Sequence, residues 1–125
     1  MRAKKPSNST LDAWWRKAVQ KRWQGRCALC GNAGCECHHV VPRRRWATRW
    51  EPQNGVLLCV ACHRHIGENP LEAARRLVEY VPATELERMS RKLKKDILAD
   101  AGETENEWRV QQLCELKMCV AGYGD

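Results

Sequence analysis

Cys27-Ala28-Leu29-Cys30 and Cys59-Val60-Ala61-Cys62 are two CxxC pairs separated by 28 residues; they enclose His38, His39 and Asn54, and His63 follows the second pair directly. Two such pairs supply four thiolates, the tetrahedral ligand set of a closed structural zinc site. The histidines then remain available for other chemistry. Between the pairs, Arg26 to Gly34 is short and turn-rich and fits a zinc knuckle. Glu36 to Val41 reads as a strand ended by Pro42, and Val56 to Leu58 as a second strand preceded by the turn residues Pro52, Asn54 and Gly55. A short helix should begin after Cys59. The expected fold class is α+β: a small zinc-stapled core of knuckle, β-hairpin and helix, with an N-terminal helix and a C-terminal helical appendage.

Outward from this core, Met1 to Asn8 is basic and polar and contains Pro6, which reads as a mobile arm. Ser9 or Thr10 can cap a helix from Leu11 to Gln24, with Gly25 as its stop and Leu11, Trp14, Trp15, Ala18 and Val19 on one face. After the core, Asn69 and Pro70 open a helix to about Tyr80, closed by Pro82. Thr84 caps another to about Ala101, stopped by Gly102. Thr104 and Glu107 form a capping box for a last helix to about Val120. The expected organisation is a basic flexible arm at 1–10, a zinc-bound core with its preceding helix at 11–69 and a helical appendage at 70–125, all one domain.

At 125 residues, with 43% hydrophobic residues, no Phe and six Trp, the core is modest and would benefit from a metal staple. Eight cysteines could suggest a secreted disulfide scaffold. Residues 1–25 contain no apolar segment of the kind a secretion signal needs, and no stretch is long enough to span a membrane. The expected setting is a reducing cytoplasm, with no membrane partner, and the glycosylation pattern Asn8-Ser9-Thr10 is read as chance. Cys35, Cys37, Cys114 and Cys119 are read as reduced structural thiols; ligand exchange at Cys35 or Cys37, or a second site made by all four, are the alternatives.

The net charge of +7 is asymmetric. Residues 1–50 hold 12 Lys/Arg against Asp12 and Glu36 only, while residues 51–125 carry a slight acidic excess. Five of the six Trp lie in the basic half. Cationic side chains neutralise phosphates and aromatic ones stack on exposed bases, so nucleic acid is the expected partner. Without Phe, Trp14, Trp15 and Trp23 are equally candidates for the core. Arg43, Arg44, Arg45, Trp46, Arg49 and Trp50 together read as a DNA-gripping loop.

Cys37-His38-His39-Val40-Val41-Pro42, followed by Asn54-Gly55-Val56-Leu57-Leu58-Cys59 and Ala61-Cys62-His63, resembles the HNH endonuclease family over residues 27–69. The resemblance implies a treble-clef, ββα-metal fold and a metal-dependent endodeoxyribonuclease. It implies His39 as general base, His38 and His63 as ligands of one catalytic divalent cation, and Asn54 as a structural bridge across the loop. Products would carry 5′-phosphate and 3′-hydroxyl ends. A narrower match, from Pro42 to Asn54 and in the helix after Asn69, is similar to the NinG/Rap group of phage recombination nucleases. That group implies branched DNA and Holliday-junction cleavage in a phage or bacterial cell, where two coordinated cuts would suit a homodimer.

One departure bears on the metal. Many family members have Asp where this chain has His38, so the cation would be held by two imidazoles. Nitrogen ligands favour Mn²⁺, Ni²⁺, Co²⁺ or Zn²⁺, with Mg²⁺ the alternative where phosphate oxygens complete the site. The residues also allow other readings: Asn54 before Gly55 is a good turn residue, His63 could replace a cysteine at zinc, and one of two adjacent strand histidines could pack against the core. A general nicking or double-strand endonuclease, and a non-catalytic zinc-finger DNA-binding protein, are the rival functions.

Overall fold

Ser7 opens the first helix: its hydroxyl oxygen accepts a hydrogen bond from the Thr10 N–H at 3.1 Å, capping α1 (Asn8–Arg22). The computed structural model describes residues 5–77, 79–81, 83–91 and 104–122. α1 therefore starts before the expected Ser9 or Thr10 cap, and residues 8–10, expected in the arm, are its first turn. The reason is tertiary. Arg109 donates to the Pro6 carbonyl at 3.3 Å and to Asn8 Oδ1 at 2.8 Å, which pins the chain entry one turn earlier. At the far end Gly25, at φ +71°, donates its N–H to the Gln20 carbonyl at 3.0 Å and turns the chain away.

The knuckle follows, closed by an Arg26–Ala33 bridge and by the Cys27 N–H on the Asn32 carbonyl at 2.6 Å. It leads into β1 (Glu36–His39), antiparallel to β2 (Gly55–Leu58), with Glu36 opposite Leu58, His38 opposite Val56 and His39 opposite Gly55. The expected strand to Val41 stops at His39 because Asn54 intervenes. Its side chain accepts from the Val41 N–H at 2.6 Å and donates to the Val41 carbonyl at 3.0 Å, taking both groups out of the ladder. Cys59 caps α2 (Val60–Glu68), which is followed by α3 (Pro70–Leu77), α4 (Ala83–Arg91) and α5 (Glu105–Gly122). Thr84 lies inside α4 and is not its cap, and the expected extension to Ala101 lies outside the described residues. At α5, Thr104 and Glu107 form the reciprocal capping box, at 3.2 and 3.3 Å. No helix among the described residues is long and apolar enough to cross a membrane.

The period-2 alternation of a strand splits the hydrophobic residues of β2 between two clusters. Val56 and Leu58 pack with Cys27, Val41, Ile66, Leu77, Val81 and Met89 on the side of α2. Leu57 packs with Leu11, Trp15, Val19, Trp50, Trp108 and Leu116 on the side of α1 and α5. The C-terminal helix thus shares a core with the N-terminal one. The architecture is α+β, a two-stranded hairpin between helices.

Gly55 is the point of closest approach. A Cβ there would lie 2.1 Å from a Val19 methyl and 2.9 Å from the Trp15 ring, and Val19 is too short and stiff to yield. Gly55→Ala is expected to push α1 off the hairpin and destabilise the fold by about 1–3 kcal/mol; chemical denaturation monitored by tryptophan fluorescence checks this.

Candidate active site

The four CxxC cysteines converge as their spacing requires. The Sγ atoms of Cys27, Cys30, Cys59 and Cys62 all lie within 4.8 Å of one another, with Cys30 and Cys59 at 3.8 Å. Tetrahedral zinc with Zn–S of about 2.3 Å places its sulfurs about 3.8 Å apart, so this donor set fits zinc. Burial works to raise the Cys27 thiol, but backbone hydrogen bonds from Cys59, Cys30 and Leu29 outweigh it and bring the pKa down to about 6. Burial and the neighbouring sulfurs push Cys62 up to about 12. A divalent cation held by the four sulfurs would favour the thiolate form that zinc ligation needs. Among the described residues no other group of three or more His, Cys, Asp or Glu side chains converges in this way. Cys37, turned to the Arg16 carbonyl, is held at about 11 by burial.

The first turn of α2 carries His63 over β1. Nδ1 of His38 and Nε2 of His63 face each other at 3.3 Å, and Nδ1 of His63 meets Glu36 Oε1 at 3.1 Å. A carboxylate only accepts, so Nδ1 of His63 carries the proton and its Nε2 presents a lone pair to His38. Two imidazole nitrogens about 2.0–2.1 Å from one tetrahedral ion stand about 3.3 Å apart, so the pair fits a shared cation, oriented from behind by Glu36. Burial, then the neighbouring His63 and His39, lowers the His38 pKa to about 4, which keeps its ring neutral at pH 7.

His39 points the other way. Its ring stacks on Trp15 at 3.8 Å and 6°, and its Nε2 lies 2.8 Å from the Arg49 carbonyl. Because a carbonyl only accepts, Nε2–H is the donor and Nδ1 is the basic nitrogen. Burial lowers the His39 pKa against the raising effects of that hydrogen bond and of Asp12. His38, His39 and His63 nevertheless line one open cavity of about 480 Å³, together with Cys37, Val40, Pro42 and Arg43. Asn54 lies outside it, fully buried, and also donates to the Thr48 carbonyl at 3.1 Å, so its amide ties the loop ends together. His65 is exposed and pairs with Glu72 at 3.0 Å.

The expected DNA-gripping loop is divided. Trp50 is 1% exposed and donates its Nε1–H to Asp12 at 2.8 Å, which makes it core. Arg49 forks onto the same carboxylate at 3.0 and 2.7 Å and belongs to the fold. Trp46 packs on Trp108 at 4.0 Å, in the α1–α5 cluster. A chain without Phe needs its tryptophans inside, and here that demand outweighs the neighbouring arginines. Arg43 and Arg44 remain exposed on the loop. Glu36, Asp12 and Trp15 were not among the expected site residues. The signal for Glu36 was its place two residues before His38, on the same face of the strand.

Residues 27–69 match the HNH endonuclease family model, from the first cysteine pair through α2. No curated protein and no solved structure matches the chain.

Metal analysis should find one tightly held zinc per chain. Chelation, or Cys59→Ser, should unfold the core, because zinc ligation in small domains contributes on the order of 10 kcal/mol of folding free energy; circular dichroism with and without added zinc checks this.

Proposed function

We propose that the chain is a metal-dependent DNA endonuclease that hydrolyses phosphodiester bonds, with His39 as general base and His38 and His63 as ligands of one divalent cation. The observation that carries this is the facing pair of His38 and His63 nitrogens at 3.3 Å beside His39 in one open cavity, within the HNH segment. When bound, the cation supplies positive charge next to the scissile phosphate. Nδ1 of His39 takes the proton of the attacking water as its oxygen bonds to phosphorus, and the bond to the 3′-oxygen breaks. The ends are 5′-phosphate and 3′-hydroxyl. Arg43, on the cavity wall, and Arg44 bind phosphate oxygens. Two neutral nitrogen ligands favour Mn²⁺, Ni²⁺, Co²⁺ or Zn²⁺ over Mg²⁺.

Branched DNA is the finer reading, supported by the similarity of residues 42–54 to junction-cleaving recombination nucleases. The described residues of one chain form a single His38–His39–His63 cavity and a four-way junction needs two cuts, so this reading includes a homodimer. A cytoplasmic setting is part of this reading, supported by a thiol cluster that must stay reduced to bind zinc. Incubation with duplex, single-stranded and four-way-junction DNA under a panel of divalent cations, with sedimentation analysis of the protein, tests substrate, metal and assembly. No cleavage under any condition would leave a zinc-stapled DNA-binding module.

His39→Ala is expected to lose on the order of 10²-fold or more in cleavage rate while DNA binding persists. His63→Ala should instead raise the metal concentration needed, with partial rescue at high Mn²⁺. Single-turnover cleavage over a metal titration separates the two. Arg43→Ala with Arg44→Ala should reduce the salt dependence of DNA binding by about 0.9 in log–log slope per lost contact, read from titrations at several salt concentrations.

A further inference from the structure

The segment that matches the HNH model begins at Cys27, yet the imidazole read as the base is held almost entirely by residues before it or tied to it. Trp15 covers one face of the His39 ring. That indole cannot drift: it is 2% exposed and donates its Nε1–H to the Glu51 carbonyl at 2.8 Å. The ring edge is held by the Arg49 carbonyl, and the position of Arg49 is set in turn by its two hydrogen bonds to Asp12. Asp12 takes Trp50 as well, so one carboxylate of α1 anchors two consecutive loop residues. Asp12 and Trp15 stand three apart on α1, hence on one face. Gly55 opposite His39 leaves room for that face to close.

We infer that α1 backs the active site from behind His39, with Asp12 and Trp15 acting as positioning residues that fix the plane and the tautomer of that ring. Asp12 acts through the Arg49 carbonyl, which selects the Nε2–H form and leaves Nδ1 as the basic nitrogen. Trp15 blocks ring rotation out of that hydrogen bond. A half-buried ion pair with an added indole N–H costs desolvation and contributes little net stability against an apolar replacement. What it supplies here is a fixed carbonyl. The inference rests on the reading of His39 as general base, and it makes the HNH segment incomplete without residues 8–22.

The test uses the full-length, zinc-loaded protein and Asp12→Ala, with exposed Lys21→Ala on the same helix as control. Long-range ¹H–¹⁵N correlation spectra read the His39 tautomer directly. Single-turnover cleavage at saturating DNA and Mn²⁺ reads the chemical step. Expected for Asp12→Ala are a mixture of both His39 tautomers and a rate lower by roughly ten- to a hundredfold, the cost of losing near-attack geometry. DNA affinity and metal requirement should stay as in the parent, and Lys21→Ala should change neither readout. Should Asp12→Ala not fold, Asp12→Asn decides: it keeps one acceptor oxygen and the side-chain shape and should show smaller changes in the same direction. A single Nε2–H tautomer and unchanged rate in the folded variants overturn the inference while leaving the nuclease reading intact. A tautomer that collapses in a protein whose parent cleaves no DNA does the reverse: the positioning role stands and the endonuclease falls.

Discussion

Four sulfurs held within 4.8 Å of one another fix where α2 begins relative to the knuckle, and the site follows from that. Cys59 is at once a member of the cluster and the cap of α2, its Sγ accepting from the Cys62 N–H at 3.4 Å. The first helical turn is therefore locked in rotation as well as in position. His63, next after Cys62, can face β1 only from that rotation. A shift of one residue would swing it about 100° around the helix and away from His38. The tight spacing Cys59-Val60-Ala61-Cys62-His63 is in this sense a single geometric unit.

The hairpin adds a second constraint through its pleat. Adjacent residues of a strand point to opposite faces, so His38 turns to α2 and His63 while His39 turns to α1 and Trp15. The anticipated conflict, that one of the two histidines would be lost to the core, is resolved at the end of the strand. The Asn54 side chain takes Val41 out of the ladder two residues after His39, and both rings border the same cavity although they are anchored on opposite sides. The His38–His63 pair and the candidate base thus have independent supports.

What the sequence made legible is what short-range chemistry determines. The spacing within each CxxC pair, the Asn54-Gly55 entry to β2, the Asn69-Pro70 junction and the Thr104 capping box all involve groups within a few residues of each other, whereas the end of β1 is set by Asn54 from across the hairpin and not by Pro42. Local chemistry does not choose the first cap, because Ser7, Ser9 and Thr10 are locally equivalent, and the choice is made by Arg109, about a hundred residues away in sequence. The same limit explains Arg49 and Trp50. A run of Arg and Trp reads as a nucleic-acid loop from its own composition, and only Asp12, 37 and 38 positions earlier, converts those two into core. The contacts of Glu36 and Trp15 are not legible in the sequence for a related reason: their partners are histidines whose ring orientation no spacing rule gives.

Asp12 and Glu36 are the only acids in the first 50 residues, and the fold puts both one step behind a histidine. Glu36 touches His63 directly, and Asp12 reaches His39 through the backbone of Arg49. A carboxylate on the cavity wall itself would repel an approaching phosphate. Placed behind an imidazole, it still sets which nitrogen is protonated and where the ring lies, while the surface presented outward stays neutral or cationic. Burial works to raise the Asp12 pKa, but the hydrogen bonds from Arg49 and Trp50 hold it below the usual carboxylate range, so it remains ionised and able to do this. The charge asymmetry first seen in composition is thus an arrangement: the basic half keeps its arginines toward solvent at 43 and 44, and engages its two carboxylates, Asp12 inside and Glu36 at the surface, in orienting the rings that would do the chemistry.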